Sequence, residues 1–183
     1  MKQVYDTYPS PLGDIQVILD DSGVAAVILT PEGWREWRRG GEPEPVRDPV
    51  RCREAVRQLV EYFHGERRAF TLPLSLRGPE FSRKVWQALT EIPYGETRHY
   101  AQIAAAVGNP KGCRAVGQAN RRNPLPIFIP CHRVIGKDGS LTGYIGQGYL
   151  GMKEYLLRME QGFINHASGF VATWTEATPR VSS

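Results

Sequence analysis

Three short apolar runs, residues 4–8, 15–19 and 24–29, stand at the start of the chain with only a Pro-Ser-Pro-Leu-Gly and an Asp-Asp-Ser-Gly segment between them. Connections that short cannot hold a crossover helix, so consecutive runs must lie antiparallel. Glycine with proline or aspartate at each break supplies the turn chemistry. The chain therefore begins as an antiparallel meander. Residues 34–44 are charged and glycine-rich and read as a loop with a short helical piece. From Pro49 to His64 the apolar residues Val50, Ala55, Leu59, Val60 and Phe63 recur at near-helical spacing, and Gly65 follows as a stop signal. This predicts a helix that closes a small α/β unit. Residues 70–76 form an extended link, and Pro73 excludes it from the middle of a sheet.

A second unit begins near Pro79. Phe81, Val85, Trp86 and Leu89 share one helical face, and Ile92-Pro93-Tyr94-Gly95 turns the chain. Residues 100–107 and 113–122 predict two short helices joined by the break Gly108-Asn109-Pro110-Lys111-Gly112. That is a helix-turn-helix pattern, although any helical hairpin shares it. The second helix carries Arg114, Arg121 and Arg122 at its ends, with the small residues Ala115, Gly117 and Ala119 between. Small residues let a helix backbone approach closely, which suits a narrow minor groove better than base reading by long polar side chains. Ile127-Phe128-Ile129 reads as a strand, residues 136–140 as a hairpin-type turn, 141–150 as a glycine-rich loop and 153–160 as a helix. Residues 161–183 lack a clear period and are expected to be a loosely ordered tail.

Cys131 sits between Pro130 and His132, with Arg133 next. A thiol beside an imidazole and a guanidinium can be held as a thiolate, whereas a lone cysteine elsewhere is more often simply buried. The other two cysteines, Cys52 and Cys113, are far away and complete an odd number, which argues against a disulfide framework and fits a reducing compartment. With no CxxC or His/Cys cluster, no metal and no cofactor are expected. No apolar stretch reaches the roughly 20 residues of a membrane span, and the N-terminus lacks a signal-peptide core. A cytoplasmic protein with no membrane partner is the expectation. The formal charge of +4 is unevenly spread: between Phe81 and Lys137 nine basic residues face Glu91 and Glu96, giving +7 there and −3 elsewhere. Concentrated positive charge is the footprint of a polyanion partner.

Tyr100-Ala101-Gln102-Ile103-Ala104, Arg114-Ala115-Val116-Gly117, Asn123-Pro124, the run from Ile129 to Ile135 through Pro130-Cys131-His132-Arg133-Val134, Gly143-Tyr144, and Lys153-Glu154 followed by Leu156, Leu157 and Glu160 together resemble the methylated-DNA–protein-cysteine methyltransferases, also called O6-alkylguanine-DNA alkyltransferases. The resemblance spans residues 81–160 closely. It implies an α/β (α+β) protein with a ribonuclease H-like domain at 1–78, a winged helix-turn-helix-like alkyltransferase domain at 79–160 and a tail at 161–183. The implied chemistry is transfer of an alkyl group from O6-alkylguanine, with O4-methylthymine as a further substrate, to Cys131 of a monomeric protein on double-stranded DNA. A prokaryotic member would be nucleoid-associated.

By the same resemblance His132 removes the thiol proton through a water, Glu160 orients His132, and Asn123 holds the loop and the thiol geometry. Tyr144 bonds the guanine, and backbone groups around Val134 meet the base edge. Tyr100 pushes on the phosphate to rotate the nucleotide, and Arg114 fills the gap in the stack. The thioether product has no easy route back to a thiol, so one turnover per chain follows. The segment from Ile145 to Met152 is two residues longer than is usual in the family and Ile145 replaces a smaller residue, which opens the range of alkyl groups accepted. The N-terminal unit lacks the zinc ligands some members carry. Three alternatives stand beside this: a non-reacting module that binds alkylated DNA, a Cys-His hydrolase of small molecules, and a transcription regulator. The first would lack the reactive cysteine; the last would want base-reading side chains on the second helix.

Overall fold

A computed structural model describes residues 2–40, 43–142, 144 and 149–162. The expected glycine-rich loop at 141–150 falls largely outside the described residues, as does the tail from 163 onward. The chain forms two compact units that meet in sequence between Leu76 and Arg77.

In the first unit β1 (Val4–Ser10), β2 (Gly13–Asp20) and β3 (Gly23–Ile28) form the expected meander, and β4 (Val46–Arg47) adds in parallel to β1, giving the order β3-β2-β1-β4. Pairing Tyr8 with Ile15 and Asp6 with Val17 sets one face. There Tyr8 meets Phe63 of α2 (Arg53–Phe63) at 5.9 Å between ring centroids. The opposite face carries Tyr5, Ile18 and Ala26, against which Trp34 and Trp37 pack. Both tryptophans belong to α1 (Pro31–Gly40), a full helix where a loop with a short helical piece was expected. Its start is well signalled: the Gly33 N–H donates to Thr30 Oγ1 at 3.0 Å, and Pro31 takes the first helical position, where its missing N–H costs nothing. Val50, expected on the buried face of α2, is 71% exposed because the helix starts three residues later. Pro73 accepts a hydrogen bond from Val24 N–H through its carbonyl, and Leu74 bridges to Val24. The proline thus sits at the sheet edge, where no donor is required of it.

The second unit packs α3 (Glu80–Thr90), α4 (Tyr100–Ala106) and α5 (Cys113–Arg121) against one another, with α6 (Leu150–Glu160) beside the turn at Cys131. Gly108, at φ +78°, ends α4. Its N–H bonds Ala105 O while Asn109 N–H reaches Ala104 O, the paired bonds of a Schellman motif. Trp86 of α3 donates its indole N–H to Ala119 O at 2.8 Å, fixing α3 to α5. Two short strands, β5 (Arg98–His99) and β6 (Val134–Ile135), pair in parallel. The bonds Gly136 N–H to Ser140 O and Gly139 N–H to Gly136 O close the turn expected at 136–140. It joins no antiparallel strands, because β6 is paired with β5.

Candidate active site

Pro124, Pro126 and Pro130 have no N–H to give, so the segment before the cysteine cannot pair as a regular strand. The strand expected at Ile127-Phe128-Ile129 is instead a compact turn in which Ile127 takes φ +77°, a conformation β-branched residues seldom adopt. Asn123 holds it together. Its Oδ1 accepts from Leu125 N–H at 2.9 Å and its Nδ2 donates to Ile129 O at 2.8 Å. Cys131 N–H then bonds Ile129 O across Pro130, and residues Cys131–Arg133 make one 3-10 turn. Three prolines and one buried amide thus deliver a cysteine into the interior at a defined angle.

Burial pushes the Cys131 thiol up, opposed by the Asn123 amide, the Lys153 ammonium and the backbone amides of Cys131 and His132. Burial wins, so the sulfur rests as a thiol and must lose a proton to react. The guanidinium expected beside it lies elsewhere: Arg133 is buried and turned to Glu160, with Nε 2.8 Å from Oε1 and NH2 3.1 Å from Oε2. Its NH1 donates to Ile92 O at 2.7 Å, and its guanidinium lies over the Tyr94 ring. It therefore does not contribute to the exposed basic surface with which the sequence groups it.

Burial alone would raise the Glu160 carboxyl, but the hydrogen bond from His132 and the charge and hydrogen bonds of Arg133 hold it well below the usual carboxylate range. The bidentate Arg133 contact keeps it ionised whatever His132 does. Gly95 N–H adds a further bond to Oε1 at 3.2 Å, and Gly95, at φ +80°, leaves room for the Glu160 carbonyl where a Cβ would stand only 3.3 Å away. Burial pushes His132 down, outweighing its attraction to Glu160. A neutral His132 beside an ionised carboxylate must carry its proton on Nε2, which donates to Glu160 Oε2 at 2.6 Å. Nδ1 is then an open acceptor, buried and without a partner among the described residues.

Lys153 is a participant the sequence reading named only within a motif. It is fully buried, its pKa pushed down by burial to about 8, and its Nζ donates to Thr142 O at 2.9 Å. Its position three, four and seven residues before Leu156, Leu157 and Glu160 places it on the inward face of α6, a signal the spacing carried. Tyr100 Oη donates to the same Thr142 carbonyl at 2.8 Å, and the ammonium lies over its ring. Tyr144 is buried, with its hydroxyl unpartnered among the described residues. Val134 N–H bonds Cys131 O, and Val134 is buried in β6. No cluster of three His, Cys, Asp or Glu able to hold a metal occurs among the described residues.

The outer face of α5 presents Arg114, Ala115, Gln118, Arg121 and Arg122 to solvent, with Gly117 half-buried at its margin. Ala119 departs from the expected contact stripe. At 3% exposure it lies on the inward side with Val116, one turn before it, and Asn120, where Trp86 of α3 packs and donates to the Ala119 carbonyl. Gln118, one turn from both Arg114 and Arg121, takes its place on the outer face.

A helical DNA-binding architecture with a buried Cys, His and Glu group defines the class, and comparison with known proteins agrees with it. Residues 3–76 match the 6-O-methylguanine DNA methyltransferase ribonuclease-like domain, and residues 80–162 match the DNA binding domain of the same family. The chain belongs to the methylated-DNA–protein-cysteine methyltransferase family. It is 50% identical over 157 residues to the constitutive methylated-DNA–protein-cysteine methyltransferase of Bacillus subtilis, covering 86% of this chain and 94% of that protein. It is 45% identical over 164 residues to the Methanosarcina acetivorans methyltransferase, covering 85% and 97%. The crystal structure of Mycobacterium tuberculosis OGT in complex with DNA superposes with a TM-score of 0.76 at 40% identity, covering 86% of this chain and 92% of that one.

Proposed function

We propose that this protein repairs alkylated duplex DNA by moving an alkyl group from O6 of guanine to the sulfur of Cys131, once per chain. The observation that carries this is the buried thiol in the Asn123-held turn, next in sequence to a histidine whose Nε2 is fixed by Glu160 and whose Nδ1 has no partner among the described residues. His132 Nδ1 takes the thiol proton through a water. The sulfur electron pair forms the S–C bond as the C–O6 bond breaks, and the departing guanine gains a proton. A base within a duplex cannot reach a buried sulfur, so the nucleotide swings out, at a cost of a few kcal/mol.

Arg114 enters the space it leaves, and Ala115 and Gly117 let α5 approach the minor groove with Arg121 and Arg122 on phosphates. Tyr100 presses the phosphate. Tyr144, whose buried hydroxyl has no partner among the described residues, and the backbone at Val134 receive the base. A DNA-dependent single-turnover methyltransferase needs no cofactor. The test is duplex DNA carrying radiolabelled O6-methylguanine. Label should reach the polypeptide and plateau near one per chain, and Cys131→Ser should abolish transfer. Continued turnover, or transfer surviving that substitution, would overturn the proposal.

A further inference from the structure

Asn120 is 1% exposed on the inward side of α5, opposite the Arg114, Gln118 and Arg121 face. Its Nδ2 donates to Cys131 O at 3.3 Å, while its Oδ1 is buried with no partner among the described residues. A half-satisfied buried amide is a poor choice for stability alone, since the orphan oxygen has lost its water without replacement. The carbonyl it reaches also accepts Val134 N–H, so both lone pairs of Cys131 O are engaged. That carbonyl and the His132 N–H belong to one peptide unit. A doubly bonded carbonyl polarises its peptide and strengthens the N–H at the other end. The His132 amide is among the groups that favour charge on the Cys131 sulfur.

We infer that Asn120 is a positioning residue for the alkyl acceptor, holding the Cys131–His132 peptide so that its N–H supports the sulfur as charge develops there. The inference rests on Cys131 being that acceptor. With Asn123 on the Ile129 carbonyl and Asn120 on the Cys131 carbonyl, the end of α5 and the residue just past its cap grip the chain on both sides of Pro130. The helix whose outer face meets DNA thereby sets the geometry of the nucleophile on its inner face. Asn123 satisfies both ends of its amide within the turn and also favours charge on the sulfur directly. Asn120 leaves one end open and acts on a single carbonyl.

The test is Asn120→Leu in the full chain, which keeps the branched shape and removes the amide, with the smaller Asn120→Ala as the second variant. Three quantities are measured: the melting temperature, the pH profile of Cys131 alkylation by iodoacetamide, and alkyl transfer from O6-methylguanine duplex. The other titratable and charged groups that act on the sulfur or back its histidine, Lys153 on α6, Tyr100 on α4, Tyr144, His132, Arg133 and Glu160, are untouched by either change. The expected result is a folded protein whose iodoacetamide rate at neutral pH falls about three- to tenfold, with the midpoint of the profile moved upward and duplex transfer reduced in parallel. A variant that melts lower yet keeps the wild-type pH midpoint would make Asn120 merely structural and overturn the inference, as would an unchanged rate in both variants. Because iodoacetamide needs no DNA, a shifted midpoint together with absent transfer in the wild type would sink the proposed function and leave only the effect of Asn120 on the Cys131 thiol.

Discussion

Nε2 of His132 lies 2.6 Å from Oε2 of Glu160, with both side chains wholly buried. An imidazole so placed has one ring nitrogen committed and the other buried without a partner among the described residues. The carboxylate is itself gripped by Arg133, so His132, Glu160 and Arg133 form one buried chain of three groups.

Glu160→Gln should slow alkyl transfer by about a hundredfold, because a neutral amide no longer selects the Nε2–H tautomer. It should also destabilise the protein by roughly 3–5 kcal/mol, since Arg133 is left buried without its counter-charge. Single-turnover kinetics and urea denaturation read the two effects separately. Full activity in a folded Glu160→Gln protein would show that the carboxylate does not orient the histidine.

Stability should fall as pH drops from about 7.5 to about 5.5. His132 is held below its ordinary value by burial, so between its folded value and about 6.5 the unfolded chain binds a proton that the folded one refuses. Glu160, also held low by His132 and Arg133 despite burial, withdraws stability in the same direction below about pH 4.3. A urea midpoint at pH 5.5 equal to or above that at 7.5 would contradict a buried neutral His132.

Lys153→Met removes an ammonium that favours charge on the Cys131 sulfur. Below pH 8 the variant should transfer alkyl groups about tenfold more slowly. Above the lysine's own pKa of about 8 the wild type loses that charge too, so the two rates should converge. A constant ratio across pH 7–10 would mean that the residue acts through shape alone.

Arg114→Ala should slow repair in duplex DNA far more than reaction with a free O6-alkylguanine, since its exposed side chain touches no part of the buried site. Ala115→Glu, on the same outer face, should weaken DNA binding while leaving free-base reactivity and melting temperature unchanged. Equal losses on both substrates would remove α5 from the DNA interface.

The meander was legible because Gly13 and Gly23 turn the chain at positive φ between runs too close to pair in any other way. The first helix was not, because its arginines and glycines read as solvent-exposed loop. Thr30-Pro31 and the three-residue spacing of Trp34 and Trp37 carried the signal. The apolar letters of Ile127-Phe128-Ile129 suggested a strand, and only the flanking prolines with the Asn123 side chain decide against it. Cys131 and His132 stand out locally. Their connection to Glu160 came through family resemblance, since no local rule pairs residues 28 positions apart. The burial of Arg133, Lys153 and Asn120 depends on what α6 and α5 bring against them, and polar residues in a sequence default to the surface.

Gly95 contributes no functional group, yet the turn after α3 presses its bare backbone against the last residue of α6. An added methyl there would crowd the Glu160 carbonyl and strain the turn, shifting the carboxylate on which His132 depends. A survey of this chain for inactivating substitutions should therefore find one at a position where no side chain exists to be lost.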